Sequence, residues 1–187
     1  MHTLRDFIRF LAIALLAGVA ASCETFSVTT DYDKSINFHN YHTFSWVSKN
    51  PLVSRAPDVS PLAEGRIQAA VMSVMTQKGF KFVDDPAKAD IAFAFTLGSR
   101  QELRVTSNPY GTAWGTAPYM WGAPYYQNVD VRQYTKGRLA IDIFDVKLRE
   151  PVWHGHASKS ISESDRARAD EVINKAVTEI LKTFPPG

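Results

Sequence analysis

The chain has 187 residues, 45% hydrophobic and 21% charged, proportions that suit a globular domain with its own core and exclude a disordered or fibrous chain. Its 21 basic and 19 acidic residues leave a formal net charge of +2 with no basic stripe and no acidic tail, so the footprint of a nucleic-acid binder is missing. One cysteine in the whole chain excludes an internal disulfide.

Residues 1–22 read as an export signal: Arg5 and Arg9 precede an apolar run over residues 10–21. That run is too short to cross a hydrocarbon core about 30 Å thick, which needs about 20 apolar residues in a helix. Small residues Ala20, Ala21 and Ser22 then lead to Cys23, the sole thiol. The sequence VAASC resembles a bacterial lipobox, which implies a lipidated Cys23 after cleavage, although Ala20 stands where that pattern prefers Leu and ordinary cleavage at an A-x-A-like site is the alternative. Each buried CH₂ adds about 0.8 kcal/mol and two chains suffice for stable anchoring, so an acylated Cys23 would hold residues 23–187 on a membrane. Glu24 replaces the Asp typical of inner-membrane retention, which favours the periplasmic face of the outer membrane.

Residues 26–32 and 41–47 alternate, with Phe26, Val28 and Thr30 on one face of the first and Phe44 and Trp46 on one face of the second. Both are expected to be strands. The three prolines within residues 49–61 suit an irregular connection, ending on Ser60 as N-cap and Pro61 at the first helical position. Leu62, Ile67, Ala70, Val71, Val74 and Met75 then form one helical stripe, and Gly79 stands where a left-handed residue ends a helix.

Residues 80–83 form a short strand, and in residues 91–97 large Ile91, Phe93, Phe95 and Leu97 alternate with smaller residues and should face the helices. Residues 137–146 and 151–161 make a hairpin, with Trp46 and Trp153 as core residues. Ser162 or Ser164 caps a last helix with Val172, Ile173, Ala176, Val177, Ile180, Leu181 and Phe184 on one stripe, and Pro185 and Pro186 forbid its continuation. The sum is an α+β two-layer sandwich: a mainly antiparallel sheet of about six strands with two helices on one face.

In order along the chain, YHTFSW, KGFKFV, ADIAFAF, GRLAIDIFD, VWHGHA and TFPP resemble a bacterial lipoprotein family known only as a domain of unknown function. The resemblance implies an exported, membrane-attached domain and brings no catalytic residues with it.

Residues 107–128 interrupt this plan. Between 109 and 126 lie the six rings of Tyr110, Trp114, Tyr119, Trp121, Tyr125 and Tyr126, with glycines and prolines and no charge. Three readings stand: a loop that folds back over the bare sheet face; a binding surface, since Tyr and Trp offer contact area at low entropic cost; or a segment resting among lipid headgroups. His154 and His156, two apart on one strand, share a face, and Asp142 joins them if Ile143 pairs with Trp153. That spacing occurs in metal sites, but His42 is expected on the core side, so no further ligand is evident and a solvated face is the reading preferred. Asp145, Lys147, Arg149 and Glu150 read as solvated turn charges. No nucleophile-elbow, zincin, phosphate-loop or dinucleotide motif occurs. The expectation is a non-catalytic envelope lipoprotein without cofactor or metal, docking an envelope protein through residues 107–128. The alternatives are a binder of a glycan or lipid headgroup and, third, a metal-dependent enzyme.

Overall fold

A computed structural model of the chain describes residues 26–108 and 128–186. Seven strands form one sheet: β1 (Ser27–Tyr32), β2 (Thr43–Trp46), β3 (Leu52–Arg55), β4 (Lys81–Phe82), β5 (Ile91–Asn108), β6 (Asn128–Asp145) and β7 (Glu150–Ile161). The helices are α1 (Ala63–Gln77), α2 (Glu163–Ala167) and α3 (Ala169–Leu181). Strand order is β1-β7-β6-β5-β2-β4, with β3 also paired to β5. The long ladders β1–β7, β7–β6 and β6–β5 are antiparallel, and the short β2, β3 and β4 pair in parallel. The expected α+β sandwich is therefore present. Among the described residues no helix is long and apolar enough to cross a membrane.

The alternation in β5 faces Ile91, Phe93 and Phe95 toward the helices, all essentially buried. Ile141 and Ile143 from β6 and Trp153 from β7 join them. Against this surface α1 presents Ile67, Val71 and Met75, and α3 presents Val177, Ile180 and Leu181. Phe184, just past α3, is the centre of the packing, with its ring 5.5 Å from Trp153, 5.8 Å from Phe80 and 5.9 Å from Phe38. The TFPP segment thus delivers an aromatic plug after α3 has already ended at Leu181.

Gly79 ends α1 as expected: its φ is 89°, and the N–H groups of Phe80 and Gly79 donate to the carbonyls of Met75 and Thr76, the paired bonds of a Schellman motif. The start of α1 differs from expectation. Pro61 lies in a turn, the helix begins at Ala63, and the Ser60 hydroxyl accepts from Leu62 N–H rather than from a helical residue.

Three further differences have physical causes. Residues 52–55, placed by their prolines in an irregular loop, form β3: β2 leaves β5 after Trp46↔Phe93, and the chain rejoins the same edge at Leu52↔Phe95. Prolines 51 and 57 lie just outside that strand, where no ladder bond is lost. Strands β5 and β6 run far beyond residues 97 and 137, pairing continuously to Asn108↔Asn128. Beyond Gln101↔Thr135 the two strands are held by their own ladder, a partnership between residues far apart in sequence. Finally, the last helix is two: Ser162 caps α2 in a capping box with Asp165, and the chain breaks at Arg168 before α3.

Candidate functional site

Helices cover one face of the sheet, so the other face of β1, β7, β6 and β5 is where side chains are available for binding. Register sets its rows. Asp31, His154, Asp142 and Ala94 lie side by side across four strands; the next row is Thr29, His156, Ala140 and Thr96; the next is Ser27, Ser158, Arg138 and Gly98. The pairing of Ile143 with Trp153 does bring Asp142 opposite His154, and His154 Nδ1 lies 2.7 Å from Asp142 Oδ1. His156 is the next residue on that face, with ring centroids 5.6 Å apart. Among the described residues no group of three His, Cys, Asp or Glu side chains is arranged to hold a metal ion. His42 departs from expectation: it is exposed ahead of β2, and its N–H donates to Asp90.

The same face grows basic toward the ends of β5 and β6. Gly98, Ser99, Arg100, Lys136, Arg138, His156 and Ser158 line a cleft of about 320 Å³. Glu102 accepts from Arg100 and from the Tyr134 hydroxyl, and lies 3.9 Å from Lys136 Nζ. Arg138 has no acceptor among the described residues, and His156 Nδ1 is buried without a hydrogen-bond partner. Burial foremost, then the charges of Arg138 and His154, holds His156 below its ordinary value near 6.5.

A stability consequence follows from that depression. As pH falls through 6.5 the unfolded chain takes up the imidazole proton before the folded one does, so folding loses free energy until the folded-state group also protonates. His156→Gln should flatten the fall in melting temperature between about pH 7 and pH 5. Thermal melts across that range check it, and an unchanged slope in the variant contradicts the assignment.

The third feature is the β5–β6 ribbon. Strand β7 stops pairing with β6 at Thr135↔Ile161, and among the described residues, 102–108 and 128–134 pair only with each other. At about 3.4 Å per residue the ribbon runs roughly 20 Å past the last β7 pair. Its ends, Asn108 and Asn128, bound the aromatic segment, so residues 107, 108 and 128 belong to strands and the connection is 109–127. Tyr110, Trp114, Tyr119, Trp121, Tyr125 and Tyr126 lie outside the described residues, as does Cys23.

The profile of a family described as a domain of unknown function, DUF4136, matches residues 28–186. The chain belongs to the DUF4136 family. All the motifs that carried the resemblance fall within that match. A DUF4136 family protein from Bacteroides thetaiotaomicron VPI-5482 has a solved structure that is 18% identical, with a TM-score of 0.53 over 86% of this chain and 96% of that one. A PDZ domain protein from Parabacteroides distasonis ATCC 8503 is 17% identical, with a TM-score of 0.52 over 87% of this chain and 35% of that one. At such identities the likeness is one of fold. No curated protein matches the chain.

Two positions in this DUF4136 domain have structural roles that sequence reading missed. Asp145, read as a solvated turn charge, is buried: it accepts from the Tyr41 hydroxyl at 2.6 Å and from the N–H groups of Lys147 and Leu148. Burial raises its carboxyl, but those hydrogen bonds outweigh it and the net shift is downward. The other is Gly155, between the two histidines of WHGHA. A Cβ there would lie 2.8 Å from Trp153 Cζ3 and from Ile180 Cγ2, and would overlap Trp153 Cη2. The glycine lets the indole lie across its own strand.

Proposed function

We propose that this DUF4136 chain is a non-catalytic envelope lipoprotein, anchored through a lipidated Cys23 at the periplasmic face of the outer membrane, that docks an envelope partner through residues 109–127. The observation that carries the reading is the ribbon. Strands β5 and β6 stay paired to Asn108↔Asn128, well past the last β7 pair at Thr135↔Ile161, and a two-stranded extension of that kind presents the segment between its ends away from the β7 ladder. The segment presented is uncharged and holds six aromatic rings, the residue types enriched at binding hot spots. The non-catalytic part is supported by His154 and Asp142, which satisfy each other as a partly exposed cross-strand pair.

The test places a photoreactive residue at Trp121 in intact cells. The expected result is a discrete crosslinked species that forms only when Cys23 is intact, because Cys23→Ala also abolishes incorporation of labelled fatty acid and removes the protein from the outer-membrane fraction. No crosslink from Trp121 with labelling intact refutes the docking role; unchanged labelling and fractionation of Cys23→Ala refutes the anchor.

A further inference from the structure

The basic cleft on the open sheet face is not used by the docking reading. Its floor is made by backbone and small side chains. Gly98 sits across β6 from Ser158, with Arg138 between them, and a Cβ at Gly98 would meet nothing nearer than the Arg138 carbonyl oxygen at 3.9 Å. Arg138 rises from that floor without an acceptor among the described residues, and His156 forms the neighbouring wall with Nδ1 unpartnered. Arg100 and Lys136, opposite each other across the β5–β6 ladder, close the far side. Among the described residues Glu102 is the one carboxylate in contact with these cations, so three formal positive charges face one negative. Like charges directly opposite across strands repel, and a guanidinium with a planar fork of donors suits the oxygens of a phosphoryl group.

The cleft is also close to the start of β1. Ser158, in its lining, pairs directly with Ser27, about 4.8 Å away across the ladder. Cys23 is four residues before Ser27, at most about 14 Å of extended chain. A lipid on Cys23 would leave this cleft within reach of the headgroups of its own bilayer.

We propose that the cleft bounded by Gly98, Arg100, Lys136, Arg138, His156 and Ser158 binds a phosphoryl group, supplied on the membrane by a phospholipid headgroup. The assignment of the source rests on the anchor reading above; the site itself does not. Bound phosphate oxygens accept from the Arg138 guanidinium, which lacks an acceptor among the described residues, and the Lys136 and Arg100 charges add attraction that salt screens.

The experiment uses the full chain in uncharged detergent and phosphate-free buffer, titrated by calorimetry with inorganic phosphate, with dihexanoyl phosphatidylglycerol, and with dihexanoylglycerol as the uncharged control. Both phosphate-bearing probes should bind and the control should not. Arg138→Ala, and separately Gly98→Glu, which sets a carboxylate in the open space above the floor, should each weaken binding about tenfold or more. Both should melt within about 2 °C of the parent, as surface substitutions, and Arg138→Lys should recover part of the affinity. Phosphate binding without lipid binding overturns the membrane source in favour of a soluble phosphorylated ligand. Absence of binding by either probe, or affinities untouched by both variants, overturns the site. Capture from Trp121 is read independently, so the cleft variants should leave it intact whichever way the titrations fall.

Discussion

Gly155→Ala lowers the unfolding free energy by about 2–3 kcal/mol, the cost of overpacking a filled site. The clash is with groups that cannot move away. Trp153 is 2% exposed, its ring is 5.5 Å from Phe184, and the Ile180 methyl 2.8 Å from the added carbon belongs to α3. Trp153→Ala by itself costs about 3–5 kcal/mol through lost burial and the cavity left behind. The informative variant is the double one. Once the indole is gone, most of the obstacle to a methyl at 155 goes with it, so adding Gly155→Ala to Trp153→Ala should cost less than about 1 kcal/mol, and the two changes should couple by about 2 kcal/mol. Urea unfolding of the four proteins measures the cycle. Strict additivity would show that Gly155 serves something other than the indole.

Replacing residues 109–127 by Asn-Gly abolishes association through the aromatic segment and leaves the fold intact. The junction makes this replacement a mild one: Asn108 and Asn128 are directly paired, and Asn-Gly closes a two-residue hairpin in the turn type that matches strand twist. The described residues already build a core, with Phe93, Trp153, Ile67, Val177 and Phe184 packed in one cluster. The variant should melt within about 2 °C of the parent and should lose the partner captured from Trp121 in the parent. Loss of cooperative unfolding would mean that the rings cover part of the sheet and are core. Retained association with retained stability would remove the basis of the docking reading.

The two helical stripes and the Ile91–Phe95 alternation were legible because each is a local periodicity imposed by a core on one side. Ser162, Gly79 and the prolines after Phe184 were legible for a similar reason, since caps and stops act within a turn of their own position. The pairing of Asp142 with His154 followed from hairpin register, again a near-neighbour relation. Strand β3, the reach of β5 and β6, the buried Asp145 and the role of Gly155 were not legible. Each depends on a partner distant in sequence: Leu52 on Phe95, Asn108 on Asn128, Asp145 on Tyr41, and Gly155 on an indole packed against Phe184. The basic cleft belongs with them, because Arg100, Lys136, Arg138 and His156 are scattered along the chain and become one site only through the β5–β6–β7 register. By itself, then, the sequence determined the family, the α+β class and which faces are apolar, since burial writes a short-range pattern. Only the tertiary structure decided which polar groups meet on the open face, because a sheet joins residues by register, and register leaves no mark on the neighbours of either partner.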